Sequence, residues 1–193
     1  MFNLKTDLIV FDLELNQPSN SIIEIGAVIL NRHGKLADCA FQTYVSLHKE
    51  RLNPEITELT GITEGKLLHA PDIWEAVKSF RDWGLSYRSS NLTLACWGPD
   101  VWMLQQQCEK WGINFPFRRS WLDIKTFAHF QNAFREQMPK KGGLGKTANF
   151  INVPVHEPRH RALNDAITTA RVAEELIRRQ VEFRNTLKEY LKK

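Results

Sequence analysis

The chain has 193 residues, 42% hydrophobic and 25% charged, with a formal net charge of +4. This length and balance describe one globular domain able to bury its own core, and they exclude a disordered chain. The small positive excess permits a polyanionic partner without requiring one.

Residues 7–15 form a nearly continuous apolar run rich in β-formers, and residues 21–30 form another. The turn formers Asn16-Gln17-Pro18-Ser19-Asn20 between them predict a hairpin. A second turn at 31–35 leads to a third strand over 37–47, completing an antiparallel meander. The period then changes. Asn53 as cap, Pro54 at the first helical position and Gly61 at the end predict a short helix. Ile73, Val77 and Phe80 recur at helical spacing and predict a helix over 71–83. A short strand over 91–96 precedes a helix over 99–111. Further helices are expected over 124–137 and 144–151. A last one starts at Arg161, with Leu163, Ala166, Ile167, Ala170, Ala173 and Ile177 as its apolar stripe. Residues 178–193 continue as a basic, solvated end.

A meander followed by alternating helices and strands implies an α/β layer fold with a mixed sheet. One domain over 1–193 is expected, with its core over 7–177. The three cysteines, Cys39, Cys96 and Cys108, include no C-x-x-C pair, so neither a disulfide framework nor a zinc site is expected. No signal-peptide pattern opens the chain, and no run approaches the ~18 apolar residues of a membrane span. A cytoplasmic protein without a membrane partner is the expectation.

Asp12 and Glu14 stand two apart on the first strand, so they share a face. Inside a strand buried on both sides, such a pair calls for a cation or a buried base. If instead the strand stops at Phe11, both acids lie in water. A hard divalent ion is the natural partner of two carboxylates. Asp100 follows the strand over 91–96 at the start of a helix, where α/β proteins place function and where the macrodipole alone also favours an acid. His160 and Asp165 lie five apart, across a loop and the first turns of the last helix. Taken alone, His160 reads as one of six ordinary histidines.

Taken together, these motifs resemble the DEDDh exonucleases, the superfamily of the epsilon proofreading subunit and oligoribonuclease. The matching stretches are Phe-Asp-Leu-Glu-Leu at 11–15, Ile-Ile-Glu-Ile-Gly-Ala-Val at 22–28 and Thr-Gly-Ile at 60–62. Trp-Gly-Pro-Asp at 97–100 and His-Arg-Ala-Leu-Asn-Asp-Ala at 160–166 follow in the family's order. Trp97-Gly98 and Trp-Leu-Asp-Ile-Lys at 121–125 are most similar to the branch of Eri-type histone-mRNA and small-RNA exonucleases. The resemblance implies a ribonuclease-H-like mixed sheet, three antiparallel strands plus parallel ones, flanked by helices. It also implies a 3′→5′ exonuclease acting on single-stranded or frayed nucleic acid, RNA slightly favoured over DNA. Two divalent cations, Mg²⁺ or Mn²⁺, would sit on Asp12, Glu14, Asp100 and Asp165, with His160 as general base. Leu15, Asn16 and Ile62 would line the terminal nucleotide's pocket.

Three positions depart from the family pattern: Cys96 where Asn is frequent, Leu15 where Thr is frequent, and Asn164 where Asp is frequent. None is an implied metal ligand. Rival readings are a non-catalytic nucleic-acid-binding module on the same fold and a ribonuclease-H-like endonuclease. The first predicts a lost acid, the second a different last motif. Gly-Leu-Gly-Lys-Thr at 143–147 is not a P-loop, because position 140 is lysine. Lys140, Lys141 and Lys146 are candidate phosphate contacts, and Trp97 and Trp102 candidate stacking residues.

Overall fold

The computed structural model describes residues 4–87, 93–118, 120–133 and 143–191. Three strands open the chain: β1 (Leu8–Asn16), β2 (Ser21–Leu30) and β3 (Leu36–Tyr44). Three helices follow: α1 (Pro54–Thr60), α2 (Glu64–Leu68) and α3 (Ile73–Tyr87). β4 (Thr93–Cys96), α4 (Asp100–Lys110), β5 (Trp121–Asp123) and α5 (Ile124–Asn132) come next. The last helices are α6 (Leu144–Phe150) and α7 (Ala162–Tyr190). The sheet order is β3-β2-β1-β4-β5. The meander is antiparallel, and β1–β4 and β4–β5 are parallel. This is the mixed sheet that the sequence implies.

Local chemistry explains the best-read elements. The Asn53 side chain accepts from the Glu55 N–H at 2.9 Å and starts α1. Gly61, at φ 68°, ends it and donates to the Thr57 carbonyl. α2 and β5 were not expected. They are five and three residues long, too short for a periodic signal, and tertiary packing decides them. α3 runs four residues past its expected end at 83. Parts of two expectations, the strand start at 91–92 and the helix end at 134–137, lie outside the described residues, as do Lys140 and Lys141.

The sheet separates two cores, because strand residues alternate between its faces. Ile9, Phe11 and Leu13 of β1 pack with α3 (Val77, Phe80) and α4 (Val101, Leu104). Leu8 and Val10 turn the other way, toward α5, α6 and α7. Asp12 and Glu14 share the parity of Leu8 and Val10, so β1 points both carboxylates at α7. Among the described residues, no helix is long and apolar enough to cross a membrane.

Candidate metal centre

The centre lies where α7 begins against β1 and β2. Asp12, Glu14 and Asp165 each offer a carboxylate oxygen, and these atoms lie within 4.8 Å of one another. Glu14 is 9% exposed. Asp100, in the first turn of α4, lies outside that set. It is nevertheless the carboxylate that acts most strongly on Asp12. A turn through Trp97, Gly98 and Pro99 delivers it, and Gly98 takes φ 103°, which its missing Cβ allows. The Cys96 thiol, buried below, donates to the Gly98 carbonyl at 3.2 Å. The cysteine that departs from the family pattern therefore braces the turn before Asp100.

The cluster's electrostatics are those of a site short of positive charge. Burial holds the Asp12 carboxyl well above the ordinary range, and Asp100, Glu14 and Asp165 add repulsion. Burial, then Asp165 and Glu24, push Glu14 to about 8. Burial raises Asp100 to about 7, against the pull of backbone N–H groups at Asp100 and Leu13. Asp165 is also raised by burial, with the His160 backbone N–H opposing. Without a cation, protons retained on these carboxyls relieve the repulsion that Arg161 and the nearby N–H groups leave uncompensated. A hard dication fits the same oxygens better, because it removes the mutual repulsion. The donor set is all carboxylate, as Mg²⁺ and Mn²⁺ prefer.

His160 is fixed by its backbone. It sits at φ 58°, a left-handed conformation uncommon outside glycine and asparagine. Its N–H donates to the Asp165 carboxylate at 3.3 Å. The preceding loop is tied to α7: the Asn164 amide donates to the Pro158 carbonyl at 2.7 Å, and Thr168 accepts from the His156 N–H at 3.0 Å. A carboxylate at 164 cannot make the first of these bonds, which gives the Asn164 departure a physical role.

Two expected pocket residues are buried. Asn16 is 3% exposed. Its amide donates to the Arg51 carbonyl at 3.1 Å and accepts from the Asn53 N–H at 2.9 Å. It fastens the loop before α1. Ile62 is 0% exposed and packs with Ile23, Leu52 and Leu67. It is part of this small core. Leu15 alone of the three stays half-buried. Trp102 is 53% exposed, whereas Trp97 packs edge-on to His129. Lys146 is exposed on α6. A cavity of about 430 Å³ opens between residues 46–52 and α2, and none of the four acids lines it.

Glu24, Gly26, Tyr44 and Arg161, which carry no role in the sequence motifs, lie beside the acids. Glu24 faces Glu14 across the β1–β2 ladder, and Gly26 faces Asp12. The signal was present: Glu24 is the one charge in a strand buried at every position, and Gly26 is a glycine in a strand interior, a sign of close backbone approach. A Cβ at Gly26 would lie 2.0 Å from the Leu163 nitrogen. The backbone of α7 thus rests directly on β2.

The family model RNase_T, described as Exonuclease, matches residues 9–173. The PolC-type DNA polymerase III of Bacillus subtilis is 37% identical over 78 residues, covering 39% of this chain and 5% of that protein. Among solved structures, the nuclease domain of 3′hExo, a DEDDh family member bound to rAMP, superposes with a TM-score of 0.76 at 22% identity. That match covers 91% of this chain and 94% of the other. A 3′-exonuclease recognising the 3′ end of a histone mRNA stem-loop gives 0.78 at 21% identity, covering 91% and 65%. At these identities the structural likeness establishes the fold alone.

Proposed function

The chain belongs to the exonuclease family, and on that premise we propose that it hydrolyses single-stranded or frayed nucleic acid from the 3′ end, releasing nucleoside 5′-monophosphates. The observation that carries this reading is the convergence of three carboxylates within 4.8 Å, with a fourth acid, Asp100, at their side. Asp12, Glu14 and Asp165 would hold divalent cations, Mg²⁺ or Mn²⁺, and Asp100 would reach a second ion directly or through water. Bound there, the cations supply positive charge at the scissile phosphate and at the departing 3′-oxygen.

The chain's own groups do the rest. The Asp165 carboxylate accepts from the His160 N–H and so fixes where the imidazole starts. That imidazole takes the proton of the attacking water, a task suited to a histidine at neutral pH. Leu15, next to Glu14 on β1, packs partly against the core that holds Phe11 and Leu13, and its exposed part would offer an apolar contact to the terminal nucleotide.

RNA is the favoured substrate in this reading. Its support is the likeness in fold to the two structures whose ligands are rAMP and an mRNA stem-loop. A preference for DNA is the second reading, motivated by the sequence identity to PolC. One experiment tests both: purified protein with Mg²⁺ or Mn²⁺ and 5′-labelled single-stranded RNA and DNA. A descending ladder is expected, faster on RNA. Discrete internal cuts from the start, or cleavage that persists in excess EDTA, would overturn the exonuclease reading.

A further inference from the structure

We propose that Glu24 is a positioning residue, which seats the first turn of α7 on the sheet and thereby sets Asp165 and His160 against Asp12 and Glu14. The proposal rests on the metal-centre reading above.

Glu24 is an acid beside three others, so the first alternative is that it binds a cation as well. Its hydrogen bonds exclude this. A carboxylate offers about four acceptor sites, and Glu24 fills four. Its Oε1 accepts from Arg161 Nη2 at 2.8 Å and from Gln42 Nε2 at 2.6 Å. Its Oε2 accepts from Arg161 Nε at 3.2 Å and from the Ala162 N–H at 3.0 Å. Glu24 is 0% exposed, and no lone pair remains for an ion.

The partners explain the arrangement. The first N–H groups of a helix lack intrahelical acceptors, and Arg161, the N-cap of α7, makes no side-chain cap bond of its own. Glu24 supplies the missing acceptor from β2, 138 residues away in sequence. The Arg161 fork fixes the approach in two directions, and Arg161 is itself held by the Tyr44 hydroxyl at 2.6 Å. Gly26, two residues on and on the same face, removes the Cβ that would lift α7 off the sheet. His160 immediately precedes this seat and Asp165 lies one turn beyond it. A small displacement of the seat therefore moves both, relative to acids fixed on β1.

Four proteins test this: wild type, Glu24→Gln, Arg161→Lys, and Val172→Ala as a control in the buried part of α7 away from the seat. Each is titrated with Mn²⁺ by calorimetry, melted, and assayed on single-stranded oligonucleotide. Groups that orient metal ligands typically cost about 10–100-fold in metal affinity or activity when changed. Glu24→Gln is expected to lose about that in Mn²⁺ affinity and in kcat, with KM little changed. Arg161→Lys keeps the charge and loses the fork, so a smaller loss in the same direction is expected. Val172→Ala should lower Tm and leave Mn²⁺ affinity as in wild type. A Glu24→Gln protein that behaves like the control, less stable with wild-type Mn²⁺ affinity and kcat, would overturn the proposal. If Glu24→Gln does not fold, Arg161→Lys decides by the same criteria. Wild-type protein that binds Mn²⁺ and cleaves nothing would sink the exonuclease reading alone, because the titrations still judge the seat.

Discussion

Glu14 and Glu24 are direct partners across the β1–β2 ladder, yet their carboxylates end in opposite circumstances. Glu24 has a bidentate arginine and a helix N–H. Glu14 has acidic neighbours, and burial with their repulsion pushes it to about 8. Like charges placed opposite one another destabilise a sheet. Here one of the two is neutralised by Arg161, and the other is left for a ligand or a proton.

Metal-free protein should therefore lose stability as pH rises. In the unfolded chain these carboxyls ionise near their ordinary values of roughly 4. In the folded chain Glu14 does so at about 8 and Asp100 at about 7. Between those limits the folded state holds more protons than the unfolded one, so ∂ΔG/∂pH is negative. The contribution is complete below the unfolded values and is lost as pH rises through the folded ones. Melting in EDTA across pH 5 to 9 should show a falling Tm, and Glu14→Gln should flatten part of it. A wild-type Tm that rises over that window would contradict the assigned shifts.

Cation binding must displace those protons. Burial pushes Glu14 to about 8 and raises Asp100 in the same direction, so the metal-free centre keeps protons at pH 7. Mn²⁺ should release protons on binding, and its affinity should rise with pH up to about 8. Calorimetry in buffers of different ionisation enthalpy measures the release directly. Binding with no buffer dependence at pH 7 would refute it.

His160→Asn is the sharpest test of the general base. Asparagine tolerates the left-handed backbone that position 160 requires, at φ 58°. The loop and its N–H bond to Asp165 should therefore survive. The expected loss in kcat is about 10²–10⁴-fold, with Mn²⁺ affinity nearly unchanged. Wild-type kcat in the folded variant would remove His160 from the mechanism.

Asp12→Asn and Asp100→Asn should differ in kind. Asp12 lies inside the 4.8 Å set and Asp100 outside it. Mn²⁺ titration is expected to show the greater loss of affinity for Asp12→Asn, and activity should be abolished. Equal losses in the two variants would argue against a larger share for Asp12 in holding the cations.

Ile62 gives a prediction of the opposite type. It is buried with Ile23, Leu52 and Leu67, so Ile62→Val should cost about 0.5–1.5 kcal/mol of stability. KM for any oligonucleotide should stay as in wild type. A changed KM at unchanged Tm would return Ile62 to the wall of the nucleotide site.

What the sequence disclosed follows from how local each signal is. β2 was read with its observed bounds, 21–30, because turn formers flank an apolar run. α1 was legible through Asn53, Pro54 and Gly61, whose roles are settled within a few residues. Asp12 and Glu14 were legible as an anomaly, since two acids on one face of a buried strand demand an explanation. The role of Glu24 was hidden because its partners, Arg161 and Ala162, lie 137 and 138 residues away. Asn16 and Ile62 were placed in a pocket by resemblance, whereas their hydrogen bonds and packing set them beneath the surface. α2 and β5 are too brief for any period to show.

The alternation along β1 also ties the acids to one register of the sheet. Asp12 and Glu14 face α7 only while Phe11 and Leu13 reach the opposite core. A chain mispaired by one residue would drive both acids in beside Phe80 and Leu104 and leave leucine facing α7. Each buried unpaired charge costs several kcal/mol, a large part of the roughly 5–15 kcal/mol that holds a domain together. Such a register is strongly disfavoured against the native one. The two side chains assigned to cutting nucleic acid thus also inspect the assembly of the sheet that carries them.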